Sequence, residues 1–291
     1  MAPDSVGLVR YLKMFKTRLL SIIFMLPLLL LALFKLQTNH LNYLVAFIVT
    51  LALGEWAKML RLPKAFMFAI CGLFLSLPFV LGSNKVDYIL IFKLSTLFWF
   101  AVFLLLLRFP KFSIIWKLPK IHVLYFIPLF VPAYLAFSYV SVVFGRMWLL
   151  FGLCLIFSAD SGAYVFGKLF GSKKMAPNIS PGKTIAGLYG AMLSGILVSM
   201  IFSFIIHNEH YIWMSLLGLT TVLLSVNGDL AQSALKRIHG VKDSGTLIPG
   251  HGGVFDRLDS IVGAMPTFAL CCHLLLKNKI ISLGLALPAY S

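Results

Sequence analysis

The residues best able to do chemistry crowd into one stretch, Ser225 to Ser260. Asp229, Gln232, Ser233 and Lys236 stand at i, i+3, i+4 and i+7, so on a helix they share one face. After Gly240 the chain turns through Lys242 and Asp243, and Pro249 leads into Gly250, His251, Gly252 and Gly253. That run is too rich in glycine for regular structure. Its bare backbone can approach a ligand closely, and consecutive N–H groups make a nest for an anion. Asp256 and Asp259 then open another helix three residues apart on one face, with Arg257 pointing elsewhere. Hard oxygen ligands held near lysines suit a magnesium-dependent phosphate reaction, since Mg2+ takes one or two carboxylates and fills its remaining positions with waters and substrate phosphates.

A second stretch, Ser158 to Thr184, leads from Asp160 into a basic loop. Lys173, Lys174 and Lys183, with Ser180, Gly182 and Thr184 at a helix start, could hold a triphosphate or a lipid phosphate, aided by the helix dipole. Gly182-Lys183-Thr184 echoes the end of a P-loop. No glycine stands five residues earlier and no strand is expected before it, so that reading is rejected.

The elements that must position these residues are membrane helices. Of 291 residues, 60% are apolar and 12% charged, against roughly a quarter charged in soluble domains. Long apolar runs predict an all-α polytopic transmembrane helix bundle of about nine spans, near 19–36, 41–57, 65–82, 88–107, 121–140, 147–167, 184–206, 211–233 and 255–276. The runs do not alternate as barrel strands would. Pro128 and Pro132 are expected to kink the fifth span. Residues 1–146 make an amino-terminal set of spans, and 147–291 a carboxy-terminal region that carries the chemistry. The apolar run after the basic start is long and lacks a small-residue cleavage site, so a retained first span is expected.

Charge sets the orientation. The chain holds 25 Lys and Arg against nine Asp and Glu, a net charge of +16, and a cytoplasmic amino terminus gathers most of those cations on the cytoplasmic side. Basic loops such as Lys58 to Lys64 and Lys111 to Lys120 are read as topology signals, and the basic balance as contact with anionic lipid and phosphorylated substrates rather than nucleic acid. Asp160 and Asp229 fall at matching depth along spans that run toward the cytoplasm, which suggests one shared polar cavity. Glu55 beside Trp56 is read as interfacial. Cys71, Cys154, Cys271 and Cys272 lack the spacing of a zinc site or a disulfide framework and are read as small core residues.

The stretch from Ser233 to Asp259, with Lys236, Lys242-Asp243, Gly245, Gly250-His251-Gly252-Gly253 and Asp256-Arg257-Leu258-Asp259, resembles the signature of the phosphatidate cytidylyltransferases, also called CDP-diacylglycerol synthases. Asp160 to Lys183 is similar to that family's second shared region. The resemblance implies a bacterial inner-membrane enzyme that joins CTP to phosphatidic acid at the cytoplasmic face, releases pyrophosphate and yields CDP-diacylglycerol for phospholipid synthesis. It also implies a homodimer, Mg2+, and a K+ beside it. Carried over by motif position, Asp229 and Asp256 are the expected metal ligands, joined by Asp259. Asp229, Asp256, Lys236 and Asp243 are the expected catalytic residues. Asp160, Lys173, Ser180, Lys183, Ser233, Lys242, Gly250, His251, Gly252, Gly253 and Arg257 are expected to bind substrate.

Two positions depart from the family pattern. Ala186 stands where the family commonly reads Glu in Lys-Thr-x-Glu-Gly, and Gln232 where it reads Glu in Gly-Asp-Leu-x-Glu-Ser. Gln232 still offers a neutral oxygen and Ala186 offers none, so cation affinity or substrate choice is expected to differ. A related membrane nucleotidyl- or phosphotransferase with another lipid, or an ion-coupled transporter, would also place carboxylates in a bundle. The transporter lacks support from inverted repeats, because the dense polar motifs lie in the second half. A CDP-alcohol phosphotransferase would need Asp-x3-Asp, whereas Asp256 and Asp259 are spaced Asp-x2-Asp.

Overall fold

The computed structural model describes residues 23–81, 86–111, 119–245, 247 and 252–278. Each predicted apolar run carries a helix: α1 (Ile23–Lys35), α2 (Thr38–Met59), α3 (Lys64–Leu81), α4 (Tyr88–Leu106), α5 (Pro119–Tyr139), α6 (Arg146–Phe170), α7 (Ile185–Ile205), α8 (Tyr211–Ile238) and α9 (Phe255–Lys277). Among the described residues, seven helices are long and apolar enough to cross a membrane: α2, α4, Ile127–Phe144, α6, α7, α8 and α9. Side chains such as Phe204 and Ile212 stand exposed on these helices, as lipid-facing residues do. α5 runs through Pro128 and Pro132 to Tyr139 and continues as a π-helical turn, Val140–Phe144.

The all-α reading holds with one exception. The basic loop after α6 is a two-stranded antiparallel hairpin, β1 (Lys174–Ala176) and β2 (Ser180–Thr184), with Lys174 opposite Thr184 and Ala176 opposite Ser180. Strands this short carry too little periodicity to be seen in sequence. The hairpin ends because Thr184, in extended backbone, caps α7: its Oγ1 accepts from Gly187 N at 3.1 Å.

The chain forms two compact units, one within residues 1–78 and 243–257, the other within 79–242 and 258–291. In the first, α2 and α3 touch through the Cys71 thiol, 3.9 Å from the Thr50 carbonyl. In the second, small residues let helix backbones meet, as is usual where lipid removes the hydrophobic drive for helix association. A β-carbon on Gly190 of α7 would lie 2.5 Å from the Gly162 carbonyl of α6. Polar bonds tie α4 into this unit: Asn227 Nδ2 donates to the Trp99 carbonyl at 2.8 Å, and the Thr96 and Thr267 hydroxyls lie 3.1 Å apart.

Candidate active site

In the larger unit the site is built around α8. Its carboxy-terminal end stops in a Schellman turn, with Gly240 at positive φ and Val241 N donating to the Lys236 carbonyl at 3.0 Å. That stop leaves the last three turns of α8 carrying Asp229, Ser233, Lys236 and Arg237. The hairpin meets this face. Lys183 Nζ on β2 lies 2.5 Å from Asp229 Oδ2, and Ser233 Oγ donates to Asp229 Oδ1 at 3.3 Å. Arg237 Nε donates to the Ile179 carbonyl at 3.2 Å, which clasps the hairpin tip to the same helix. The Lys183 and Asp229 side chains are each 25% exposed. A pair that open contributes on the order of 1 kcal/mol or less to stability, so its geometry fits a binding site better than a fold staple.

Asp259 on α9 interacts electrostatically with Asp229, Lys236 and Asp160. Asp160, Asp229 and the buried Lys236 thus lie within electrostatic reach of Asp259, and Asp229 pairs with Lys183. Carboxylates on neighbouring helices are hard oxygen donors of the kind a divalent cation takes. Among the described residues no three His, Cys, Asp or Glu side chains converge closely enough to form a metal cage by themselves.

In the smaller unit, Asp256 sits in the first turn of α9, and its Oδ2 accepts from Gly253 N at 3.1 Å and Ser244 N at 2.9 Å. The reach from Asp256 back to Gly253 N is the returning half of a capping box. Glu55, 5% exposed, accepts from Phe255 N at 2.9 Å and from Ser244 Oγ at 3.2 Å. Gly245 and Gly253 both abut the Glu55 carboxylate, and a side chain on either would collide with it. Glu55 therefore ties Ser244 to the start of α9, with Gly245 and Gly253 packed against it. It was expected merely to sit near the membrane interface. Its long-range partners, Ser244 and Phe255, lie almost two hundred residues away in sequence, and the signal that could have found it is a lone carboxylate in an apolar helix. Ser244, joining Asp256 and Glu55, was also missed.

Of the predicted site residues, the larger unit brings together Asp160, Lys183, Asp229, Ser233, Lys236 and Asp259. Ser180 opens β2 of the same hairpin, and Lys173 precedes β1, its carbonyl accepting from Ile185 N at 3.0 Å. Lys242 is exposed just beyond α8. In the smaller unit, Asp243 and Asp256 lie beside Gly252, and Arg257 is exposed. Gly250 and His251 lie outside the described residues.

Comparison with known proteins gives the chain its family. Residues 16–275 match the cytidylyltransferase family. The chain is 32% identical over 282 residues to a Haemophilus influenzae protein named phosphatidate cytidylyltransferase, covering 88% of this chain and 98% of that one. The chain belongs to the cytidylyltransferase family. A Pseudomonas aeruginosa protein of the same name is 30% identical over 272 residues, 88% of this chain and 96% of that protein. One from Staphylococcus epidermidis reaches 43% identity over 125 residues, 42% of this chain and 47% of its own length. For a cytidylyltransferase, lysines and carboxylates on adjoining elements are the groups needed to hold a nucleoside triphosphate and a second phosphate together.

Proposed function

We propose that this chain transfers CMP from CTP to phosphatidate, forming CDP-diacylglycerol and pyrophosphate at the cytoplasmic face of a bacterial inner membrane. The observation that carries the reading is the Lys183–Asp229 pair on the helix face shared with Ser233 and Lys236, in a chain that matches cytidylyltransferases along most of its length.

A phosphate oxygen of phosphatidate attacks the α-phosphorus of CTP. A new phosphorus–oxygen bond forms, and the bridging bond to the β-phosphate breaks, its electron pair leaving with pyrophosphate. Lys183 and Lys236 hold anionic oxygens of the two substrates, and Ser233 fixes the Asp229 carboxylate. Lys173, Ser180 and Lys242 bind outer phosphates. Asp229 and Asp259 would hold Mg2+, and the sequence signature adds Asp256. Bound there, Mg2+ would neutralise charge on the α-phosphate and the leaving pyrophosphate. K+ beside it and a homodimeric assembly follow from the family resemblance.

Purified protein in lipid nanodiscs is expected to form CDP-diacylglycerol from CTP and phosphatidate when Mg2+ is supplied and to stop when it is chelated. No product from the wild-type protein, or unchanged product in both Asp229→Asn and Asp256→Asn, would overturn the proposal.

A further inference from the structure

Beside the charged cluster the larger unit contains an apolar cavity of about 490 Å3. It lies between the end of α4, the hairpin tip, the start of α7 and Leu230 of α8. Among the described residues no lining residue is charged, and Asn178 is the one polar side chain. The volume falls within the roughly 300–1,000 Å3 of ordinary small-molecule pockets.

Its walls are continuous with the phosphate-binding groups. Leu230 follows Asp229 on α8, and Ile185 stands two residues after Lys183. The hairpin that presents Lys183 also supplies Met175 to Ile179 of the wall, and Arg237 clasps that tip to α8 through the Ile179 carbonyl. A molecule that places a phosphate at Lys183 and an attached hydrocarbon in this cavity must be amphiphilic.

We propose that the cavity receives one fatty acyl chain of the phosphatidate substrate and selects it by length; this rests on the proposed transfer reaction. The chain leaves lipid rather than water, so little is gained from apolar transfer itself. What a walled cavity adds is shape. The acyl chain enters beneath the hairpin, the hairpin fixes how far it penetrates, and that depth sets the phosphate against Lys183.

The test fills the cavity. Leu188→Trp and Leu106→Trp are compared with wild type on dipalmitoyl and on dihexanoyl phosphatidate, with folding checked by thermal melting. Expected is a loss of about tenfold or more in kcat/KM for the long lipid with less than about twofold change for the short one. Equal loss on both lipids, or none on either, overturns the proposal. A second measurement needs no turnover: phosphatidate with a photoreactive palmitoyl chain should label wild-type residues 175–188. Excess dipalmitoyl phosphatidate should compete, and dipalmitoyl phosphatidylcholine should not. Absence of labelling there, or equal competition by both lipids, overturns the acyl site. Selective labelling without any CDP-diacylglycerol formation would uphold the acyl site and sink the transfer reaction.

Discussion

Gly228 of α8 packs directly against Gly263 of α9, with no room for a β-carbon on either. A carbon on Gly228 would lie 2.6 Å from the Asp259 carbonyl, and one on Gly263 would lie 2.8 Å from Gly228 Cα. The obstacles are backbone and cannot rotate away. This crossing is why Asp229, one residue later, comes within electrostatic reach of Asp259.

Gly228→Ala and Gly263→Ala should therefore force the helices apart, costing about 1–3 kcal/mol as other overpacked sites do. Thermal melts in detergent should shift downward and cytidylyl transfer should fall by more than tenfold, about the factor that 1.4 kcal/mol represents. Gly54→Ala, on a helix position with nothing within 4 Å, is the control and should leave both unchanged. Normal activity in Gly228→Ala would show that the crossing does not set the site.

The Lys183–Asp229 pair makes a prediction of opposite character. Lys183→Met should leave the melting temperature nearly unchanged, because a pair a quarter exposed contributes on the order of 1 kcal/mol or less. Its effect on kcat/KM should be a loss of about a hundredfold or more, the usual result of deleting a donor to developing negative charge. If stability falls and the residual activity is high, the pair is a staple and not a substrate site.

Glu55 bears on Ser244 and the start of α9 from a distance in sequence. Glu55→Ala removes the acceptor for the buried Phe255 N–H and for Ser244 Oγ, and should destabilise that junction by about 1–3 kcal/mol. Trypsin should then cut after the exposed Lys242 faster than in wild type, while Glu55→Gln, which keeps one acceptor oxygen, should fall between. Equal cleavage of all three proteins would remove the holding role from Glu55.

How much of this was readable beforehand depended on the range of the interaction. The helices were legible because an apolar run long enough to span a bilayer is a local signal, and α8 and α9 sit where their runs predicted. The grouping of Asp229, Ser233 and Lys236 was legible for the same reason, since helical spacing alone puts them on one face. Lys183 was singled out as a phosphate ligand, but its partner was not, because that contact joins residues 46 positions apart through a hairpin too short to leave a pattern. Glu55 and Ser244 were hidden by greater separation still. The glycines at 228 and 263 carry no chemistry of their own, and their meaning lies entirely in what would collide with them.

Gln232 offers the last test. It is fully buried, and among the described residues neither its amide oxygen nor its amide nitrogen has a hydrogen-bond partner. It stands three residues after Asp229 and four before Lys236, so a carboxylate there would add charge to the face proposed to hold Mg2+. With the ion bound, that charge is compensated; without it, a buried carboxylate is left short of cations and costs several kcal/mol. Gln232→Glu should therefore lower the Mg2+ concentration for half-maximal activity by about tenfold, equivalent to 1.4 kcal/mol of tighter binding. Chelation should also depress its melting temperature further than that of wild type, a readout that does not depend on turnover. Identical Mg2+ titrations and identical melting shifts in the two proteins would mean that no cation sits within reach of position 232.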